Sequence, residues 1–154
     1  MTLDSVRADL AHRAPDLEII ESALSTATVA LAAVAHGVEP GQIAKTLSLN
    51  IGDRRFLLVT RGDYRLDNKK AKEAFGAKPS MLSHDEVVEI TGHPVGGVCP
   101  FGLAQPLKVY CDISLKSFAE VWPAAGSINT SVRITPQRLA ELVAAVWVDA
   151  CKAP

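Results

Sequence analysis

Residues 43–51, IAKTLSLNI, alternate along their whole length. Ile43, Lys45, Leu47, Leu49 and Ile51 fall on one face, and Ala44, Thr46, Ser48 and Asn50 on the other, which is the period of a β-strand. GDRR follows as a turn and FLLVT (56–60) is a continuous apolar run, so the two segments predict a hairpin. LEII (17–20), LKVYCDI (107–113) and SVRI (131–134) read as further strands. Elsewhere the period is helical. Leu3, Val6 and Leu10 predict a short N-terminal helix stopped before Pro15. TATVALAAVAHGV predicts a helix that starts near Thr26 or Thr28 and stops at Gly37, because glycine accepts the left-handed conformation there. Asp67 caps a helix carrying Ala71, Ala74 and Phe75, with Lys69, Lys70 and Lys72 off that stripe and Gly76 at its end. SHDE (83–86) has the form of a capping box, in which Ser83 and Glu86 satisfy each other's exposed amide groups. Its helix runs to about Thr91 and stops at Gly92. SLKSFAEV (114–121) reads as a short helix. Thr135 and Pro136 open a last helix whose stripe is Leu139, Leu142, Val143, Val146 and Trp147. Interleaved strands and helices that include a hairpin predict an α+β fold, with a mixed sheet flanked by helices and residues 1–154 as one domain.

Composition narrows the class. Hydrophobic residues make up 48% of the 154-residue chain, enough for a core without disulfides or metals, and the 5% aromatic share makes that core aliphatic. Cys99, Cys111 and Cys151 are an odd set with no CxxC pair, so neither a disulfide framework nor a zinc site is expected. The N-terminus has early acids and no apolar run, and TVALAAVA is too short to cross a bilayer. A cytoplasmic protein is expected, with no membrane partner. A net charge of -1 excludes a global nucleic-acid signature. Its distribution is uneven: residues 54–78 hold eight of the sixteen Lys and Arg against three acids. That run is either a solvated face or a phosphate-facing patch.

Two places carry candidate chemistry. Lys45 lies on the apolar face of its strand, where an ammonium loses hydration unless it reaches water, a partner or a ligand. It is either a lysine snorkelling to solvent or a working group. HPVGGVCPFG (93–102) is the second. Gly96 and Gly97 let a ligand approach the main chain, Pro100 stiffens the far end, and consecutive exposed amides can hold a carbonyl oxygen or an anion. The same glycines would also serve a tight crossover. His93 and Cys99 suggest a nucleophile with its base, a pairing that spacing alone does not establish, and a small cysteine also packs well. A further loop, PAAGSINTSV (123–132), offers Ser127, Asn129, Thr130 and Ser131 beside a glycine, as a site or as a turn. RGD (61–63) matches a cell-adhesion tripeptide and reads as the end of a hairpin strand. His12, His36 and His84 have no metal spacing, and no metal or other cofactor is expected. No Ser-His-Asp or paired-carboxylate set stands out.

GQIAKTL (41–47), GDYRLDNKKAKEAFGAK (62–78), TGHPVGGVCPFG (91–102) and AAGS (124–127) together resemble, in order and spacing, the YbaK/prolyl-tRNA synthetase-associated domain family. The resemblance runs from about residue 17 to 148. It implies a mixed, partly barrel-like sheet and an enzyme that hydrolyses the ester of mischarged tRNA, with tRNA-Pro carrying Ala, Cys, Ser or Thr as the expected substrate. By position it implies that Lys45 is the critical lysine, with Thr46 beside it. The loop of Gly96, Gly97, Val98, Cys99 and Pro100 would lie against the aminoacyl end, and Gly126, Ser127 and Asn129 would form the far wall. The implied mechanism is substrate-assisted: a free ribose hydroxyl of the terminal adenosine positions or activates water, which accounts for the missing nucleophile. The implied partners are the tRNA acceptor end and prolyl-tRNA synthetase, for a monomer or weak homodimer. Synthetase-inserted members carry a histidine after the AG loop, and INTSV here has none. The alternatives are a non-catalytic nucleotide or aminoacyl-tRNA binding or regulatory module and, more distantly, a Cys99 hydrolase.

Overall fold

The structure, a computed structural model, describes residues 2–154. The elements run α1 (Thr2–Arg13), β1 (Ile19–Glu21), α2 (Val29–His36), β2 (Ala44–Ile51), β3 (Arg54–Arg61), β4 (Arg65–Leu66), α3 (Asn68–Phe75) and β5 (Ser80–Met81). They continue with α4 (His84–Thr91), β6 (Lys108–Asp112), β7 (Thr130–Val132), α5 (Pro136–Leu142), β8 (Val146–Val148) and β9 (Cys151–Lys152). The central sheet has strand order β5-β2-β3-β6-β8 and is mixed. β2 pairs antiparallel with β3 and β5, whereas β3–β6 and β6–β8 are parallel. Two small antiparallel sheets, β1–β7 and β4–β9, tie the outer segments down.

The caps are those the local chemistry predicts. Thr28, rather than Thr26, accepts from the Leu31 amide to open α2, and Gly37 closes it in the left-handed region. Asp67 accepts from the Lys69 and Lys70 amides, and the Ser83–Glu86 box opens α4. Gly52, at φ +58, makes the tight β2–β3 turn.

FLLVT shows no alternation because β3 is covered on both sides. On one side Leu57 and Val59 pack with Val6 and Leu10 of α1 and Leu139 of α5. On the other, Phe56 and Leu58 pack with Ala71 and Phe75 of α3, and the Phe56, Phe75 and Tyr110 rings lie 4.8 to 5.4 Å apart.

Two expectations are corrected. The stripe from Leu139 to Trp147 is not one helix. α5 ends at Leu142, Ala144 takes φ +52, and Val146–Val148 becomes β8. The free edge of β6 decides this: Tyr110, Cys111 and Asp112 accept Val146, Trp147 and Val148 as a parallel partner, and two β-branched residues flanking an aromatic suit a strand. SLKSFAEV is not an α-helix either. Ile113–Ser117 forms a 3-10 turn, opened by the Asp112 carboxylate, and the chain then extends so that Val121 bridges Ile134. Among the described residues no helix is long and apolar enough to cross a membrane, and no His, Cys, Asp or Glu group could hold a metal ion.

Candidate functional site

A cavity of about 380 Å³ opens where the start of α2, β2, segment 81–87 and loop 93–102 converge. Strand parity builds one wall. Ala44, Thr46 and Ser48, the even positions of β2, line it. The face that reads as the solvent side of the alternation is therefore the cavity face. Thr26 and Thr28 close the α2 end, Leu82 and Val87 stand opposite, and Trp122 and Ser131 lie along the floor.

Lys45 borders this cavity through its place in β2. Its ammonium follows the odd side of the strand and donates to the Tyr64 carbonyl. Burial pulls its pKa below the ordinary lysine range, opposed by Cys151 and Asp63 nearby.

Loop 93–102 divides. Gly96 and Val98 line the cavity. Gly96 sits at φ +94, and a Cβ there would meet Ala27 at 3.0 Å, so this position needs glycine both for its angle and for the close approach of the segment that leads into α2. Gly97 faces away and accepts from the Gly126 amide at 3.0 Å, which zips this loop to loop 124–127. Pro100 lies in a separate cleft beside Asp9 and Arg13. Ser127 bonds Thr130 at 2.6 Å and Asn129 at 3.0 Å, and Asn129 reaches the Ser22 carbonyl, so these side chains hold the turn that backs the cavity floor. Gly97, Cys99, Pro100, Gly126, Ser127 and Asn129 are thus behind the cavity rather than on its lining.

His93 and Cys99 do come together, at 3.6 Å, but not as nucleophile and base. The His93 Nε2 lies 2.6 Å from the Phe101 carbonyl, which only accepts, so Nε2 carries the proton and cannot take one from the thiol. Burial pushes Cys99 up to about 12, and Cys111 and Cys151 likewise. All three are therefore expected to react with a disulfide reagent at pH 8 at least ~100-fold more slowly in the folded than in the unfolded protein, because the thiolate is the reactive form. Thiol-release kinetics check this; one fast native thiol would contradict it.

Two histidines near the site have no signature in the sequence. His36, the last residue of α2, brings Nε2 within 2.9 Å of Ser131 Oγ and stacks on Trp122 at 4.2 Å. Burial lowers its pKa, so it rests neutral. A histidine therefore does reach the floor, from α2 instead of from the segment after AAGS. His84, at the start of α4, lines the opposite wall. Two hydroxyls, Thr26 Oγ1 and Thr46 Oγ1, are buried with no hydrogen-bond partner among the described residues. The STAT cluster before α2 was the one legible sign of a polar end here.

None of the eight basic residues of 54–78 lines the cavity. Arg54 caps the Phe75 carbonyl, Arg55 pairs with Glu86, Arg61 with Asp63, and Lys70 with Asp149. α3, which carries Lys69, Lys70 and Lys72, packs on the other face of the sheet.

The cavity lining holds one lysine, one histidine and several hydroxyls, with no carboxylate and no thiol. Such a surface can bind and orient a reactive ester but offers no charged nucleophile. Residues 24–142 match the aminoacyl-tRNA editing domain. The chain belongs to that family.

The relatives of this editing domain place it further. YwhH, an uncharacterised protein of Bacillus subtilis, is 47% identical over 154 residues, covering 99% of this chain and 98% of that one. The proline–tRNA ligase of Citrifermentans bemidjiense is 36% identical over 98 residues, which are 63% of this chain but 17% of the ligase. A crystal structure described as a candidate trans-editing enzyme for prolyl tRNA synthetase superposes with a TM-score of 0.90 at 35% identity, covering 99% of this chain and 98% of that one. The mixed sheet flanked by helices is the fold of that structural neighbour.

Proposed function

We propose that this editing domain, as one unit over residues 1–154, is a trans-acting deacylase that hydrolyses the ester of mischarged tRNA. The proposed substrate is tRNA-Pro carrying a small wrong amino acid: alanine, cysteine, serine or threonine. The observation that carries this is a ~380 Å³ cavity without carboxylate or thiol, in a chain of the editing family. Hydrolysis in such a site needs a catalytic group from elsewhere, and the free hydroxyl of the terminal ribose supplies one. The protein's share is orientation: Lys45 and Thr46 on one side, and loop 96–100 on the other, through the Gly96 and Val98 backbone that reaches the cavity, hold the ester and the attacking water in line. The relation to proline–tRNA ligases and to the candidate trans-editing enzyme supports tRNA-Pro as the carrier.

The test is ester release from tRNA-Pro charged separately with each of the four amino acids. At least one is expected to be released well above the uncatalysed rate. A methylene more or less shifts rates only about 10- to 200-fold in an apolar pocket, so a graded ranking is expected among them. Tight binding of all four without release would establish a binding module instead.

A further inference from the structure

The RGD tripeptide is not a loose hairpin end. The Arg61 guanidinium grips Asp63 with two parallel bonds, Nε to Oδ1 at 2.6 Å and Nη2 to Oδ2 at 2.9 Å. It also lies between two rings, 4.4 Å from the centre of Tyr64 and 4.7 Å from that of Phe118. The pair is 18% and 34% exposed, so solvent does not loosen it as it would a rim ion pair. Two glycines make room. A Cβ on Gly41 would come within 2.7 Å of Phe118 and 2.8 Å of Arg61. A Cβ on Gly62 would press on the Pro40 carbonyl and come within 2.7 Å of Val29. Val29 and Ile43 line the cavity, so the turn sits directly behind that end of it. At its tip the Tyr64 carbonyl accepts from the Lys45 ammonium.

We propose that turn 61–64 is a positioning device for Lys45: Arg61, clamped between Tyr64 and Phe118, fixes the turn that carries the Asp63 carboxylate and presents the Tyr64 carbonyl to the ammonium, and so sets where Lys45 stands beside the cavity. This rests on the role given to Lys45 under the proposed function. The charged and titratable groups facing Lys45 are Asp63 from the turn and Cys151 from β9. Burial pushes the Cys151 thiol up to about 12, so Asp63 is the anion Lys45 feels. The hydrogen bond from Arg61 in turn holds the Asp63 carboxyl below the usual carboxylate range. Arg61 and Asp63 are thus positioning residues, acting through Lys45.

The experiment reads Lys45 itself. In protein labelled at the lysine ε-carbon, the Lys45 resonance is assigned by its loss in Lys45→Ala and titrated with pH. Asp63→Asn removes the facing anion and is expected to lower the midpoint. Arg61→Met releases that carboxylate from its clamp and is expected to lower it as well. Both are expected to slow single-turnover deacylation at least ~10-fold, as small misplacements do, with the thermal midpoint followed to confirm folding. Unmoved midpoints in either folded variant overturn the proposal, as do moved midpoints with unchanged deacylation. If Lys45→Ala itself retains full activity, the role of Lys45 in the proposed function fails, and the titrations still report whether the clamp acts on it.

Discussion

Replacing Lys45 with Ala is expected to slow single-turnover release from the preferred mischarged tRNA-Pro by at least ~100-fold, the scale of losing one oriented electrostatic contact. The fold is expected to survive. The ammonium is half-buried and makes its one described hydrogen bond to the Tyr64 carbonyl. Its removal leaves that carbonyl short of a partner, at about 1–3 kcal/mol, but also removes a desolvated charge, which offsets part of the cost. The thermal midpoint should therefore move by a few degrees while activity collapses. Release within twofold of the unaltered protein would remove Lys45 from the mechanism. Lys45 is also sensitive to pH in a stated direction. Its folded pKa lies below its unfolded one, so the folded state releases this proton first as pH rises. This group alone then adds stability with rising pH between the two values.

Gly97→Ala is expected to damage both activity and stability. The added Cβ would lie 2.7 Å from the Ser127 amide nitrogen and 2.9 Å from the Gly126 carbonyl carbon. These are backbone atoms and cannot rotate aside. Loops 93–102 and 124–127 must move apart, which strains the Gly126-to-Gly97 hydrogen bond. Overpacking of this kind costs about 1–3 kcal/mol. Gly96 and Val98, on the cavity side of the same loop, shift with it, and displacement on the ångström scale lowers rates by up to ~100-fold. Gly52→Ala is the control: its Cβ meets nothing within 4 Å, so its cost is the strain of the positive φ, without loss of activity. Single-turnover rates and thermal midpoints of the two variants, measured together, check this. Equal activity in both would show that the two loops need not stay zipped.

Much of the fold was legible because its signals are local. The β2–β3 hairpin, the caps at Thr28, Asp67, Ser83 and Thr135, and the glycine stops at Gly37, Gly76 and Gly92 depend on residues within a few positions of one another. What failed was set at a distance. Leu139 to Trp147 carries apolar residues at spacings that suit a helix, and only the open edge of β6 makes Val146–Val148 a strand.

The site divides the same way. The sequence by itself singled out three segments, the strand bearing Lys45 and Thr46 and the two glycine loops, through an ordered set of motifs. It also showed no Ser-His-Asp or paired-carboxylate set, and left the His93–Cys99 pairing open. Only the tertiary structure decided which side of β2 faces the cavity, because alternation assigns two faces but not their surroundings. Only it showed that Cys99 and Pro100 stand behind the cavity, that His36 reaches Ser131 across 95 positions, and that the turn made by RGD brings the Tyr64 carbonyl to the ammonium of Lys45. Each of these depends on packing between elements far apart in the chain. A linear pattern records the period of a segment, but not what the folded chain brings against it.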